Sequence, residues 1–218
     1  MRRRAALLVV DVQLDFCPGG ALPVAAGDAV VSPLNRYIAI FWQRGRPIFA
    51  SRDWHPADSE HFKENGGSWP KHCIQESDGA AFHPKLLLPK ETIVISKGIS
   101  RWDDGYSAFD GVTTNGTPFS MLLKRMGIDR IYVGGLATDY CVKASVLSGL
   151  GEGFAMTLLT DAVRGVELVP GDTQAAIEEM LAAGAETTDL DDIVKELLPG
   201  DTKISPGDYR RVRQGNMP

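Results

Sequence analysis

RIYVGGLATDYCVKASVLSGL, residues 130–150, is the stretch on which the fold turns. Arg130 to Val133 is a short apolar run with strand character, and Tyr140 to Ser148 follows a helical pattern opened by Asp139, a side chain suited to capping. The strand reads as apolar throughout, without alternation, as strands buried on both faces do.

Working outward, the same pairing recurs. Ala6 to Val10, Pro47 to Ser51, Thr92 to Ser96 and Phe154 to Leu159 are further strand runs. Between them lie helical patterns. Val30 to Gln43 ends before Gly45, Pro118 to Met126 is capped by Thr117 and stopped by Gly127, and Thr173 to Ala183 is opened by Asp172 and stopped by Gly184. Strands alternating with helices predict an α/β fold of three layers, a mostly parallel sheet with helices on both faces. No internal repeat and no Gly-, Pro- or Ser-rich linker divides the chain, so residues 1–218 are expected to form a single domain. A tail from about residue 191 is expected to hold a short helix and then a loosely held end containing Pro206 and Gly207. Residues 53–90 carry little periodicity, and loops of that length in a compact domain are usually functional.

The bulk composition excludes several classes of protein. A net charge of −5 leaves no basic stripe for nucleic acid, and the Arg2 to Arg4 cluster is short and terminal. The apolar run that follows it is interrupted by Asp11, too early for a signal peptide, and no run approaches the ~20 residues of a membrane span. The three cysteines, Cys17, Cys73 and Cys141, are too few and too odd for a disulfide framework. A cytoplasmic protein with neither nucleic-acid nor membrane partners is expected. The number of copies that assemble, a homo-oligomer included, is left open by the sequence.

In an open parallel sheet, ligands bind beyond the carboxyl ends of the strands. Polar residues that follow apolar strands are therefore the ones to collect: Asp11 after LLVV, Asp53 after IFASR, Lys97 after TIVIS, and GGLATDYC after IYV. Cys141 falls in the first turn of its helix, where the dipole and a nearby Lys97 would favour a thiolate. Backbone N–H groups of that turn could receive an oxyanion, and Asp11 could accept the thiol proton and pass it to a leaving amine. A lone Cys more often packs a helix, and Asp11 with Lys97 could be an ordinary ion pair; three strand ends converging on one chemistry favour function. DWHPADSEHF and WPKHC bring Asp53, His55, His61 and His72 into a short window, a donor set suited to zinc, iron or manganese. His83 reads as a loop residue and Cys73 as a buried one.

Taken together, VVDVQLDFCPGGAL (Val9 to Leu22), SRDWHP (Ser51 to Pro56), GSWPKHC (Gly67 to Cys73), ISKG (Ile95 to Gly98), YSAF (Tyr106 to Phe109) and GGLATDYCV (Gly134 to Val142) closely resemble the nicotinamidases, also of pyrazinamidase type, within the isochorismatase-like cysteine hydrolases. The resemblance runs from about Leu7 to Leu190. It implies a triad of Asp11, Lys97 and Cys141, with one divalent metal, zinc, iron or manganese, on Asp53, His55 and His72. His61 matches a ligand in only some members. It further implies a cis Leu136–Ala137 peptide, an oxyanion hole from the Ala137 and Cys141 amides, and Phe16, Trp69 and Tyr106 as walls around an aromatic substrate. For these three the plain alternative is core packing. Arg101 to Asp104, before YSAF, have no counterpart in the pattern and are expected to reshape the pocket mouth.

The activity so implied is conversion of nicotinamide to nicotinate and ammonia through a thioester. Two rivals stand beside it: hydrolysis of another amide or a carbamoyl group, and ligand binding without catalysis. Isochorismate cleavage is disfavoured, because isochorismatases lack both the cysteine and the Asp–His–His set.

Overall fold

The computed structural model describes residues 4–197. Its central strand, β1 (Ala5–Val10), sends Ala5, Leu7 and Val9 into one apolar layer and Ala6, Leu8 and Val10 into another. All six are buried, which is why the run reads as continuously apolar. Burying each large aliphatic side chain stabilises the sheet by roughly 1.5–3 kcal/mol, and Leu8→Ala would cost about 2–5 kcal/mol.

The strands that flank β1 are β2 (Ile48–Asp53), β3 (Ile93–Lys97) and β4 (Val112–Thr113) on one side and β5 (Arg130–Leu136), β6 (Ala155–Arg164) and β7 (Glu186–Thr188) on the other. The order across the sheet is β4-β3-β2-β1-β5-β6-β7, parallel throughout except for the antiparallel β3–β4 pair. The chain moves outward from β1 in one direction, then returns to build the other half from β5. This leaves a topological switch beside β1, where a ligand crevice is expected. Asp53 and Lys97 are register partners at the last rungs of β2 and β3, and Asp11 follows β1 directly.

Helices α1 (Val31–Gln43) and α5 (Leu190–Leu197) cover one face, where Leu34, Ile38, Phe41, Leu190 and Ile193 join the layer of Leu7. Helices α2 (Phe119–Arg125), α3 (Lys143–Gly151) and α4 (Asp172–Ala182) cover the other, with Leu123, Val146 and Met180 in the layer of Leu8. The three-layer α/β expectation holds. Helix α1 stops as its sequence implies: the Gly45 and Arg46 amides donate to Trp42 and Phe41, and Gly45 takes φ 60, a conformation that costs glycine little.

Several local expectations are corrected. Thr117 does not cap α2; Pro118 holds that position, and the Thr117 hydroxyl donates to Asn115 instead. Asp172 lies within α4, after Gly171 at the cap position, and its carboxylate accepts from the Val169 amide. The helix expected from Tyr140 to Ser148 is a wide π turn, Thr138–Val142, followed by α3, and Asp139 makes no capping bond to it. β6 runs beyond Leu159 to Arg164, with an irregular register against Val133 and Gly135. β4 and β7 had no apolar run to announce them; each is a short edge strand. Arg2, Arg3 and the end containing Pro206 and Gly207 lie outside the described residues, and no helix among the described residues is long and apolar enough to cross a membrane.

Candidate active site

The carboxyl rim of the sheet brings Asp11, Lys97 and Cys141 together. The Lys97 ammonium lies 2.8 Å from Asp11 Oδ2 and 3.4 Å from Cys141 Sγ, and it also donates to Asp53 Oδ1 and the Gly105 carbonyl. Asp11 takes φ 49, a left-handed conformation that Asp tolerates better than most residues, and it turns the chain away from β1. Its Oδ1 accepts from the Ser51 hydroxyl at 2.7 Å. Gln13, buried below, holds the end of β2 by giving to the Asp53 carbonyl and accepting from the Asp53 amide, both at 2.8 Å. Cys141 sits in the π turn, and the Leu136–Ala137 peptide leading into that turn is cis. The Tyr140 and Val142 amides both donate to the Ala137 carbonyl, which fixes the turn around the Ala137 and Cys141 amides.

The protonation pattern differs from the expected thiolate. Burial pushes the Cys141 thiol well above its ordinary value, and the attraction of Lys97 does not overcome it; Asp11 and Asp53 push the same way. A partial dipole at a helix start cannot match the cost of burying a full charge next to carboxylates. Burial also raises Asp11 to about 6, against the opposing pull of Lys97 and with the help of Asp53. Burial works against the Lys97 charge, but Asp11, Asp53 and Cys141 outweigh it and keep the ammonium firmly protonated. The resting arrangement is thus a neutral thiol beside a carboxylate acceptor and a fixed cation.

On the far side of Asp53 stand His55, His61 and His72, whose ring nitrogens come within 4.8 Å of one another. Asp53 Oδ2 is 3.6 Å from His55 Nε2 and 3.7 Å from His72 Nε2, longer than hydrogen bonds. Burial alone would raise Asp53, yet Lys97 and the two histidines hold it well below the usual carboxylate range. The outer nitrogens of two rings are tied: His72 Nδ1 lies 2.8 Å from the Pro70 carbonyl and His61 Nδ1 is 3.0 Å from Asp104 Oδ1. Such ties fix a ring's tautomer and leave Nε2 to face inward. Burial holds His61 below its usual value, favouring the neutral ring that can ligate. His55 is fully buried with both ring nitrogens unpartnered. Orphaned buried nitrogens facing a carboxylate fit a divalent cation, and the donor set His55, His61, His72 and Asp53 has the composition such a site uses. His61, uncertain from the sequence, lies in the same group as the other two. Cys73 is buried and is not among the grouped donors, its amide being bonded to Asp15, and His83 is a half-buried loop residue.

Between the sulfur and the histidines lies a pocket lined by Phe16, Trp69 and Tyr106 as well as by Ala137, Cys141, His61 and His72. Trp69 Nε1 donates to Tyr106 Oη at 2.8 Å, which braces the two rings. Sequence reasoning missed Tyr140 and Val166, which also line this space; Asp104, expected only to reshape the pocket mouth, both lines it and holds His61. The extra residues before YSAF were the available signal for Asp104. Arg101 pairs with Glu60 and lies over the exposed Trp102, and of residues 101–104 Asp104 is the one that lines the pocket.

Fold and site together define an α/β enzyme of the cysteine hydrolase class, with Cys141 on the turn that follows β5. The chain belongs to the Isochorismatase domain family, whose model matches residues 5–192. It is 42% identical over 203 residues to the nicotinamidase of Escherichia coli K12, covering 86% of this chain and 95% of that protein. The nicotinamidase/pyrazinamidase of Mycobacterium tuberculosis H37Rv is 38% identical over 184 residues, covering 83% and 96%. Among solved structures, the pyrazinamidase of Pyrococcus horikoshii in complex with zinc superposes with a TM-score of 0.78 at 42% identity, over 86% of this chain and 99% of that one.

Proposed function

We propose that this enzyme hydrolyses nicotinamide to nicotinate and ammonia, with Cys141 as nucleophile, Asp11 as proton carrier and Lys97 as the fixed cation between them. The observation that carries the reading is the Lys97 ammonium bridging Asp11 and Cys141 at the floor of an aromatic-walled pocket whose far side is the histidine cluster. The E. coli and M. tuberculosis relatives, both named for this activity, support it.

In this mechanism the Asp11 carboxylate takes the Cys141 thiol proton as sulfur attacks the amide carbon. The amide oxygen becomes an anion held by the Ala137 and Cys141 N–H groups. Asp11 then delivers its proton to the departing nitrogen, releasing ammonia and leaving a thioester on Cys141. Water, giving a proton to Asp11, attacks that thioester; the carboxylate product leaves, and the proton returns to sulfur. Holding the thiol neutral until substrate arrives suits this cycle, because the one buried group that takes its proton, Asp11, is also the acid that gives it to the leaving nitrogen. Phe16, Trp69 and Tyr106 sandwich the ring. A divalent cation on Asp53, His55, His61 and His72, which we take to be zinc, iron or manganese, would orient and polarise a substrate bearing a ring nitrogen. A zinc-bound relative supports that choice of metals. Three free buried thiols suit a reducing, cytoplasmic setting.

The test is ammonia release from nicotinamide, benzamide and a carbamoyl amino acid, with isochorismate cleavage assayed alongside. Nicotinamide is expected to be turned over about 10²-fold better than benzamide, which has the same shape without the ring nitrogen, since a site built for a polar contact rejects the analogue that lacks it. Turnover of the carbamoyl compound alone would reassign the substrate and leave the Cys141 chemistry standing.

A further inference from the structure

The mechanism makes no use of Asp139, although it lies two residues from the nucleophile and is buried. Both its oxygens are spent on one distant loop: Oδ1 accepts from the Val166 amide and Oδ2 from the Glu167 amide, each at 2.9 Å. Val166 is a pocket wall, and Asp139 stands on the π turn between two more, Ala137 and Tyr140. One carboxylate therefore ties the turn that carries the nucleophile to a further wall of the substrate space.

The loop needs such a tie. Leu168 and Val169 are 65% and 62% exposed, so its apolar side chains anchor it weakly. Glu167 takes φ 55, unfavourable for a residue of its size, and its carboxylate is occupied in holding the Gly171 and Thr173 amides at 3.0 and 2.8 Å. Gly165 is packed so closely that an added Cβ would lie 1.8 Å from Thr173 Oγ1 and 3.3 Å from Asp139 Oδ1. Charge-assisted bonds to two backbone donors are the stronger kind, and removing the acceptor would orphan both amides in a half-buried setting.

We propose that Asp139 is a positioning residue that fixes the Val166 wall against the cysteine turn and so sets how tightly the substrate ring is held. The inference rests on the hydrolase reading above for its kinetic arm only. The experiment compares wild type, Asp139→Asn, Asp139→Ala, Val166→Ala and the Asp139→Ala/Val166→Ala double variant in nicotinamide kinetics, thermal unfolding and the ratio of Cys141 labelling by N-phenylmaleimide to labelling by iodoacetamide. Asp139→Ala and Val166→Ala should each raise KM about tenfold while kcat falls less than about threefold, and the double variant should be no worse than the more severe single one, because both remove the same wall. Asp139→Asn keeps one acceptor oxygen and should fall between wild type and Asp139→Ala. The labelling ratio should rise in the same non-additive way. A merely structural Asp139 would lower the unfolding temperature and leave KM and the ratio unmoved, and that result, or strictly additive effects, overturns the proposal. If Asp139→Ala does not fold, Asp139→Asn combined with Val166→Ala completes the same cycle. Wild type that releases no ammonia from nicotinamide would refute the substrate assignment alone, since the labelling ratio still reads the wall.

Discussion

Asp53 has one oxygen on Lys97 and the other toward His55 and His72, and so divides the site into two regions built by opposite means. On the nucleophile side the charges answer one another. Lys97 serves Asp11, Asp53, the Gly105 carbonyl and Cys141, and Ser51 holds the remaining Asp11 oxygen. On the histidine side both ring nitrogens of His55 are buried without a hydrogen-bond partner. The first region comes from strand ends that the sheet holds in register; the second comes from loops whose rings converge without satisfying one another. A region complete in itself can do covalent chemistry with its own groups, whereas an unsatisfied one is made for something it binds.

The largest effect should fall on the complete side. Cys141→Ala is expected to lower turnover by about 10⁴-fold or more while metal content, by elemental analysis, stays near one equivalent, since no histidine is disturbed. Wild-type activity in that variant would end the assignment of the nucleophile. Next comes the incomplete side. His55→Ala should empty the metal site and cost about 10²–10³-fold in kcat/KM, yet leave Cys141 reactive toward iodoacetamide. Thiol labelling that vanished together with the metal would mean the two regions are not separable, and the contrast drawn above would fail.

Smaller effects sharpen the boundary. Asp104→Ala removes the partner of His61 Nδ1 and should weaken metal affinity about tenfold, the low end for such supports, because the Asp104 side chain is 69% exposed. Chelator competition measures this directly, and an unchanged affinity would place His61 outside the ligand set. The mildest effect is on pH dependence. Asp11 is raised to about 6 and must be ionised to accept the thiol proton, so kcat/KM should fall as pH drops through about 6 and be roughly halved there relative to neutral pH. A profile flat down to about pH 5 would show Asp11 titrating as an ordinary carboxylate.

How much of this was legible depended on the distance over which each residue is decided. The strands with apolar runs were readable because burial on both faces leaves no polar face, and their ends were readable as site positions because parallel strands all finish at one rim. Asp11, Asp53, Lys97 and Cys141 follow from that rule with no knowledge of packing. The two edge strands, β4 and β7, were not readable, since edge strands of two or three residues need no apolar pattern. Caps were misread at Thr117, Asp139 and Asp172 because each side chain had more than one partner within reach, and the sequence does not rank them.

The sequence by itself determined the three-layer α/β class, the residues gathered at the rim of the sheet and the donor types around Asp53. Tertiary structure alone decided that burial pushes the Cys141 thiol up, that His61 joins His55 and His72 with Asp104 behind it, and that Asp139 reaches across to Val166 and Glu167 instead of capping its own helix. Periodicity and strand ends are local properties, written in neighbouring residues. Desolvation and the choice among hydrogen-bond partners depend on what the folded chain brings within a few ångströms from 27 to 43 residues away.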